Sequence, residues 1–168
     1  MAVEHFRPKG ALGNIGSNKK SYPGYYWLTY EWSNLLLVKP GVNSDKKDYF
    51  ELDDDRNRAD NHHGDINLEL PMIIDPASED PREHIRFHNE QPYGTTDRGI
   101  YTVNLLLLHP DLEEDRREHF QLLAGLKSLL EILIEYGLEQ KAKETKKMLE
   151  NYVKPDAKYS SMAIDLLT

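Results

Sequence analysis

The clearest hydrophobic periodicity lies in the last third of the chain. Apolar side chains recur there at helical spacing: Leu112, Phe120, Leu123, Leu126, Leu130, Leu133 and Ile134. Pro110 suits the first turn of this helix, and Gly137 suits the left-handed residue that ends it. A second helix is predicted over residues 138–152, and a last short helix over residues 160–167 with Ser160 or Ser161 as its cap. The pattern predicts a helical C-terminal region.

The first two thirds of the chain alternate short apolar runs with turn residues. Strands are predicted over residues 2–8, 66–74, 85–88 and 100–108, and the second half of the segment 27–38 suits a buried strand. Residues 10–24 are rich in Gly, Asn, Ser and Lys, which is typical of a loop, and residues 53–64 read as an exposed acidic loop. Asn43 is expected to cap a short helix from Ser44 to about Phe50. Together these elements predict an α+β fold.

Composition narrows the classes of protein further. The 168 residues include no cysteine, which excludes disulfides and thiolate zinc sites. No apolar run approaches the roughly 20 residues that span a bilayer, so no membrane partner is predicted. The first residues lack the basic and apolar regions of an export signal, and we therefore expect a cytoplasmic location. There is no Gly-rich phosphate loop, so the chain is not predicted to hydrolyse ATP.

Charge is distributed unevenly along the chain. Residues 1–47 hold seven Lys and Arg residues against three acidic ones, a net charge of +4, whereas the whole chain carries −8. The remaining residues therefore carry −12. The excess of positive charge lies in the segment that also holds the candidate chemistry described next, and it favours a nucleic-acid partner for that segment. Lysines that merely crowd a polar loop are the alternative explanation.

Four residues in this basic segment suggest phosphodiester chemistry. Glu4 precedes His5 directly, Asn34 follows later, and Asn43 comes nine positions after Asn34. Hydrolysis of a phosphodiester with one metal ion needs hard oxygen ligands and an imidazole base. The residue types present match that need.

The order and spacing of these residues resemble the HNH endonuclease signature, whose site is built on two short strands and one helix, the ββα-metal fold. More specifically, the chain resembles the HNH proteins found with retron and other phage-defence systems. Four further stretches match that family in order, at residues 69–76, 79–87, 108–112 and 159–162. The resemblance implies an HNH-like core at residues 1–50 and an α+β extension at 51–168 with short strands and C-terminal helices, the two forming one compact unit.

The resemblance also implies roles for individual residues. His5 would be the general base, Glu4 and Asn43 would hold Mg²⁺ or Mn²⁺, and Asn34 would brace the loop and orient His5. Three basic residues would bind neighbouring phosphates: Arg7, Lys9 and Lys46. The implied function is a metal-dependent endonuclease of phage defence with an ATPase-type partner protein. DNA is favoured over RNA as its partner, and the sequence leaves the choice of substrate between them open.

The chain departs from the family at the structural zinc site. Lys39-Pro40-Gly41-Val42 stands where a Cys-x-x-Cys pair would be expected, and the three residues before Glu4 leave no place for the other pair. No structural zinc is therefore expected, and packing of apolar side chains such as Phe6, Val38 and Trp32 must replace it.

Other readings of the same residues remain open. A catalytically inactive HNH-fold module that binds nucleic acid or protein is the main alternative, favoured by the missing zinc site. His62 with His63, or His84 with His88, would be a second metal site if their side chains converged. The aromatic residues between Tyr22 and Trp32 could stack on bases, although an aromatic core is the expected role.

Overall fold

The computed structural model describes residues 1–17 and 19–168, and it is a mixed α+β structure of which about half is helical, as predicted. The strands are β1 (Ala2–His5), β2 (Leu12–Gly13), β3 (Lys20–Ser21), β4 (Leu35–Val38), β5 (Ile85–His88) and β6 (Gln91–Gly94). The α-helices are α1 (Pro40–Lys46), α2 (Asp97–Thr102), α3 (Pro110–Glu135), α4 (Glu139–Tyr152) and α5 (Ser160–Leu167). None of the helices in the described ranges is long and apolar enough to cross a membrane.

The strands pair into three two-stranded sheets, β1 with β4, β2 with β3 and β5 with β6. β1 and β4 are antiparallel, and their register sets Glu4 opposite Leu36 and His5 opposite Leu35. α1 begins two residues after β4 ends. The chain therefore runs from the second strand of this pair almost directly into the helix that carries Asn43.

The described residues divide into two compact units. The first comprises residues 1–84 and 94–109, and the second comprises residues 85–93 and 110–168. The predicted boundary at residue 50 falls inside the first unit. The core of the first unit is aromatic, with Phe6 packed edge-on against Phe50 at 5.4 Å and Tyr25 against Phe50 at 5.5 Å between ring centroids. Phe6 is buried as expected, but the expected packing of Trp32 is wrong, since 87% of this residue is exposed.

The second unit is built from α3, α4, α5 and the β5–β6 hairpin. Its buried centre consists of Leu123, Leu149, Met162 and Ala163. The three helices were predicted from their periodicity and are confirmed to within a few residues. Gly137 has a φ of +66°, the left-handed conformation expected after α3. The last helix begins after Tyr159 instead of a capping serine, and Tyr159 itself has a φ of +54°.

Two predicted strands are wrong. The apolar run at residues 100–108 continues α2 into a π-helical turn over Val103–Leu107, because the Thr96 side chain accepts from Gly99 N–H and starts a helix just before the run. A short apolar run fits a buried helix as well as a buried strand. Residues 66–74 form a 3₁₀ turn at Ile66–Leu68 and then irregular chain, since Asp65 caps Asn67 N–H there.

The helix predicted from Ser44 to Phe50 lies four residues earlier than expected. Pro40 occupies the first turn of α1, where its fixed φ and missing N–H cost nothing, and Lys47 ends the helix with a φ of +48°. Asn43 is therefore an internal residue of α1 and not its cap. β4 is a strand as predicted, but it is not buried on both faces, since Leu37 is exposed. Among the described residues, β4 pairs with β1 in a two-stranded sheet.

Candidate functional site

Glu4 is joined to α1 by a buried ion pair. Lys46 Nζ lies 2.9 Å from Glu4 Oε1 and donates a second hydrogen bond to the backbone oxygen of His5, also at 2.9 Å. Only 4% of Lys46 is exposed, and this burial lowers the pKa of its ammonium, while Glu4 acts in the opposite direction. Among the described residues, Glu4 Oε2 accepts no hydrogen bond, so one carboxylate oxygen is unengaged.

The His5 imidazole is held at one nitrogen. Its Nε2 lies 3.0 Å from the backbone oxygen of Thr29. A carbonyl oxygen can only accept, so Nε2 carries the proton, and in the neutral ring Nδ1 has the lone pair. The two adjacent side chains contact different elements, Glu4 contacting Lys46 of α1 and His5 contacting Thr29. The bond to Thr29 thus fixes the tautomer in which Nδ1 is the basic nitrogen.

The Asn34 side chain joins the segment that follows His5 to the segment that precedes Thr29. Its Oδ1 accepts from Arg7 N–H at 2.7 Å, and its Nδ2 donates to the backbone oxygens of Arg7 at 3.1 Å and Leu28 at 3.2 Å. Arg7 lies two residues after His5, and Leu28 immediately precedes the Thr29 carbonyl that holds the ring. Only 2% of Asn34 is exposed. Its amide therefore fixes the distance between the His5 strand and the Thr29 segment.

Asn43 lies on α1 and is half-buried. It precedes Lys46 by three positions, a spacing that places both side chains on one face of a helix. Since Lys46 reaches Glu4, that face is directed at β1. The helix itself packs closely, because a Cβ on Gly41 would lie 2.4 Å from the His109 ring.

Arg7 takes part in a buried network in the first unit. Its Nε donates to Glu69 Oε2 at 2.8 Å, and Glu69 Oε1 accepts from Tyr25 Oη at 2.8 Å and from Ala59 N–H at 2.9 Å. The Glu69 side chain is fully buried. Burial, followed by the hydrogen bond to Glu69, raises the pKa of Tyr25 well above its usual value. Arg7 is thus a structural partner of Glu69, with its two Nη groups making no hydrogen bond to the described residues.

The remaining predicted site residues do not join this group. Lys9 is exposed. His62 and His63 are exposed with their rings 3.9 Å apart, and His84 Nδ1 lies 2.9 Å from Thr96 Oγ1. Within residues 1–17 and 19–168, no group of three or more His, Asp or Glu side chains is arranged to hold a metal ion. The sequence alone predicted no role for Thr29 or Glu69, because their side-chain partners lie far away in the chain: His5 is 24 positions from Thr29, and Tyr25 and Arg7 are 44 and 62 positions from Glu69.

A cleft of about 520 Å³ opens beside these residues. Arg7, Ser33 and Asn34 line one part of it, and Glu79 and Arg98 line another. Arg98 pairs with Glu79 through two hydrogen bonds, at 2.7 and 2.8 Å. Burial opposes the charged form of Glu79, but the hydrogen bonds from Arg98 and from Asp75 N–H outweigh burial and lower the pKa of Glu79. The cleft thus carries arginines and carboxylates in matched pairs.

We expect Asn34→Ala to loosen the geometry around His5. The change leaves the N–H and the backbone oxygen of Arg7 without their Asn34 partner, whereas the Leu28 oxygen still accepts from Glu31 N–H. Each buried unsatisfied group costs about 1–3 kcal/mol. We expect the free energy of unfolding, measured with urea, to fall by about 1–3 kcal/mol in total for the Asn34→Ala variant. Asn151→Ala, at an exposed position of α4, is the matched control and should change it by less than about 0.5 kcal/mol. Equal losses in both variants would contradict the bracing role.

Comparison with known proteins gives one informative similarity. No family model and no solved structure matches the chain. The chain is similar to the Septu protein PtuB of Bacillus mycoides (strain KBAB4), with 34% identity over 166 residues, which cover 90% of this chain and 55% of the relative. The chain therefore spans about half the length of this curated relative. Because the similarity covers nine tenths of this chain, it includes parts of both compact units.

Proposed function

We propose that the chain is a metal-dependent, HNH-type endonuclease that acts in defence against phage. The defence role is supported by the similarity to the Septu protein PtuB. The nuclease activity is supported by one arrangement above all: a His5 ring whose Nε2–H is bound by Thr29, so that Nδ1 is the basic nitrogen, at the end of the paired strand that also carries Glu4.

The order of elements around His5 supports the proposal. Strand β1 pairs with β4, and α1 follows at once with Asn43 on the face that is directed at β1. The HNH resemblance implies this order, two paired strands followed by a helix, for a ββα-metal core. Asn34 braces the loop, which is the role that the HNH resemblance gives to the middle asparagine.

The donor set fits a hard divalent cation. Glu4 and Asn43 offer a carboxylate and an amide oxygen, and Mg²⁺ commonly binds one or two such groups and fills its remaining positions with water and phosphate oxygens. One oxygen of the Glu4 carboxylate, Oε1, is already paired with the Lys46 ammonium. Glu4 Oε2 is the oxygen left for a metal ion.

The proposed reaction is an in-line hydrolysis. His5 Nδ1 accepts the proton of a water whose oxygen forms a bond to phosphorus, while the bond from phosphorus to the leaving 3′ oxygen breaks. When bound, Mg²⁺ or Mn²⁺ supplies positive charge near the scissile phosphate. Thr29 and Asn34 keep the imidazole in position. Lys9 remains a candidate phosphate ligand, whereas Arg7 and Lys46 serve first as partners of Glu69 and Glu4.

A partner protein is part of the proposal. Outside residues 1–47 the chain carries a net charge of −12, which disfavours unaided binding to a polyanion. A second protein would raise the affinity for nucleic acid above that of the chain alone, and an ATPase-type partner remains the prediction from the HNH resemblance.

Cleavage should depend on a divalent metal ion. We expect plasmid and oligonucleotide substrates to be cut with Mg²⁺ or Mn²⁺ and left intact with EDTA. Asn43→Ala should weaken cleavage through metal affinity, so raised Mn²⁺ should restore part of it. Thermal melts should be the same with and without EDTA, because no structural zinc is expected. Cleavage that persists in EDTA would refute the metal-dependent mechanism.

The alternative is a catalytically inactive module of the same fold. It is favoured by the ion pair between Lys46 and Glu4, which neutralises the carboxylate that a metal ion would need. The same assay separates the two functions, since the inactive module would bind nucleic acid or protein without cutting under any metal condition.

A further inference from the structure

Two large aromatic side chains near His5 are almost fully exposed. The exposed fraction is 91% for Tyr30 and 87% for Trp32. In the same segment Tyr25 is completely buried and Trp27 packs against the core. Large aromatic residues are ordinarily well buried. Tyr25 and Trp27 therefore hold the segment against the core, while Tyr30 and Trp32 are exposed to solvent.

The segment that carries these rings is held by regular hydrogen bonds. Leu28 N–H donates to Tyr25 O, Glu31 N–H donates to Leu28 O, and Asn34 N–H donates to Glu31 O. Tyr30 directly follows Thr29, whose carbonyl binds His5 Nε2. Trp32 lies two residues before Asn34, whose side chain binds Arg7. Both exposed rings thus lie on a fixed turn within a few residues of the contacts that hold the imidazole.

The surroundings favour a negatively charged ligand with aromatic groups. Residues 1–47, which include this segment, have a net charge of +4, and Lys9 and Lys19 are exposed. Ser33, the neighbour of Trp32, and Arg7 line the same cleft. Exposed aromatic rings beside basic groups are the combination by which proteins bind unpaired nucleic-acid strands.

We propose that Tyr30 and Trp32 form a stacking platform for the unpaired bases of a single-stranded nucleic acid, next to His5. The proposal rests on the nuclease function and names its substrate class. In a duplex the faces of the bases are already stacked on one another, so the platform selects strands or ends whose bases are free. Stacking is tolerant of sequence, because every base offers an aromatic face.

The test is binding measured in EDTA, where no cleavage is expected. A labelled single-stranded oligothymidylate and a labelled duplex of matched length are titrated with the full chain and followed by fluorescence anisotropy. Trp32→Ala should raise the Kd for the single strand about 5- to 100-fold, Tyr30→Ala by a similar factor, and neither should change the Kd for the duplex more than twofold. Tyr136→Ala, which removes another exposed ring, is the matched control and should leave both values unchanged.

Tryptophan fluorescence gives an independent readout. The chain has two tryptophans, and a stacked base should quench Trp32 more than Trp27, which is partly buried against the core. Trp32→Phe should keep most of the affinity and lose the quenching.

The outcomes separate the platform from the nuclease. Preference for single strands that depends on Trp32, with no cleavage under any metal condition, would support the platform and refute the nuclease. Cleavage with equal binding by wild type and Trp32→Ala would refute the platform and leave the nuclease standing. Failure to bind any single strand, or an equal loss of single-strand and duplex binding, would also overturn the platform.

Discussion

Replacing His5 with alanine should lower the rate of phosphodiester cleavage by roughly 10²–10⁴-fold, the usual contribution of a positioned general base. The fold should survive, because the ring makes one hydrogen bond within residues 1–17 and 19–168, to Thr29, and the net value of such a bond is about 0.5–1.5 kcal/mol. The measurement is single-turnover cleavage of a labelled substrate with Mn²⁺, together with a thermal melt of each variant.

His63→Ala is the matched control for this experiment. His63 is exposed and lies in the loop after Asp60, so its loss should leave the rate and the melting temperature unchanged. Equal rates for wild type and His5→Ala would show that cleavage does not use this imidazole, and the proposed function would have to be abandoned.

Replacing Glu69 with alanine should destabilise the first unit by about 3–5 kcal/mol, the cost of breaking a buried ion pair. Arg7 Nε, Tyr25 Oη and Ala59 N–H all donate to this one fully buried carboxylate. Removing it leaves a guanidinium charge and two other donors without a partner. Urea denaturation gives the free energy of unfolding that checks this value.

The control for Glu69 is Glu118→Ala, at an exposed position of α3, which should change stability by no more than about 0.5 kcal/mol. Glu69→Gln tests the charge separately, because the amide keeps the shape but turns an NH₂ group toward one of the donors. A loss below about 1 kcal/mol in Glu69→Ala would mean that water replaces the carboxylate and that the network contributes little to stability.

The long helices of the second unit could be predicted from sequence because their evidence is local. In α3 the apolar spacing, Pro110 at the start and Gly137 after the end lie within one continuous stretch. The apolar runs at residues 66–74 and 100–108 gave no such evidence. Their conformation is decided by the Asp65 and Thr96 caps and by close approaches such as that of Gly99 to the His84 oxygen.

The candidate site could be predicted only in part for the same reason. The motif identifies Glu4, His5 and Asn34 as candidate site residues, but tertiary packing determines which groups these side chains bind. Lys46 lies 42 positions from Glu4 and was expected to bind phosphate, and the sequence alone offers no sign that its ammonium is buried against that carboxylate. Asn43 was placed at a helix start because asparagine favours caps, whereas Pro40 sets where α1 begins.

The β5–β6 hairpin has a consequence for how the protein is made. Residues 85–93 belong to the second unit although the chain on both sides of them belongs to the first. Asp165 holds the hairpin, accepting from Phe87 N–H at 2.8 Å and pairing with Arg86 at 2.8 Å, and it follows Phe87 by 78 positions. On the ribosome the hairpin therefore emerges long before α5 is synthesised, and the second unit can close only after Asp165 has been added. A fragment that ends at residue 109 would carry the hairpin without Asp165, and a fragment that begins at residue 110 would carry Asp165 without the hairpin.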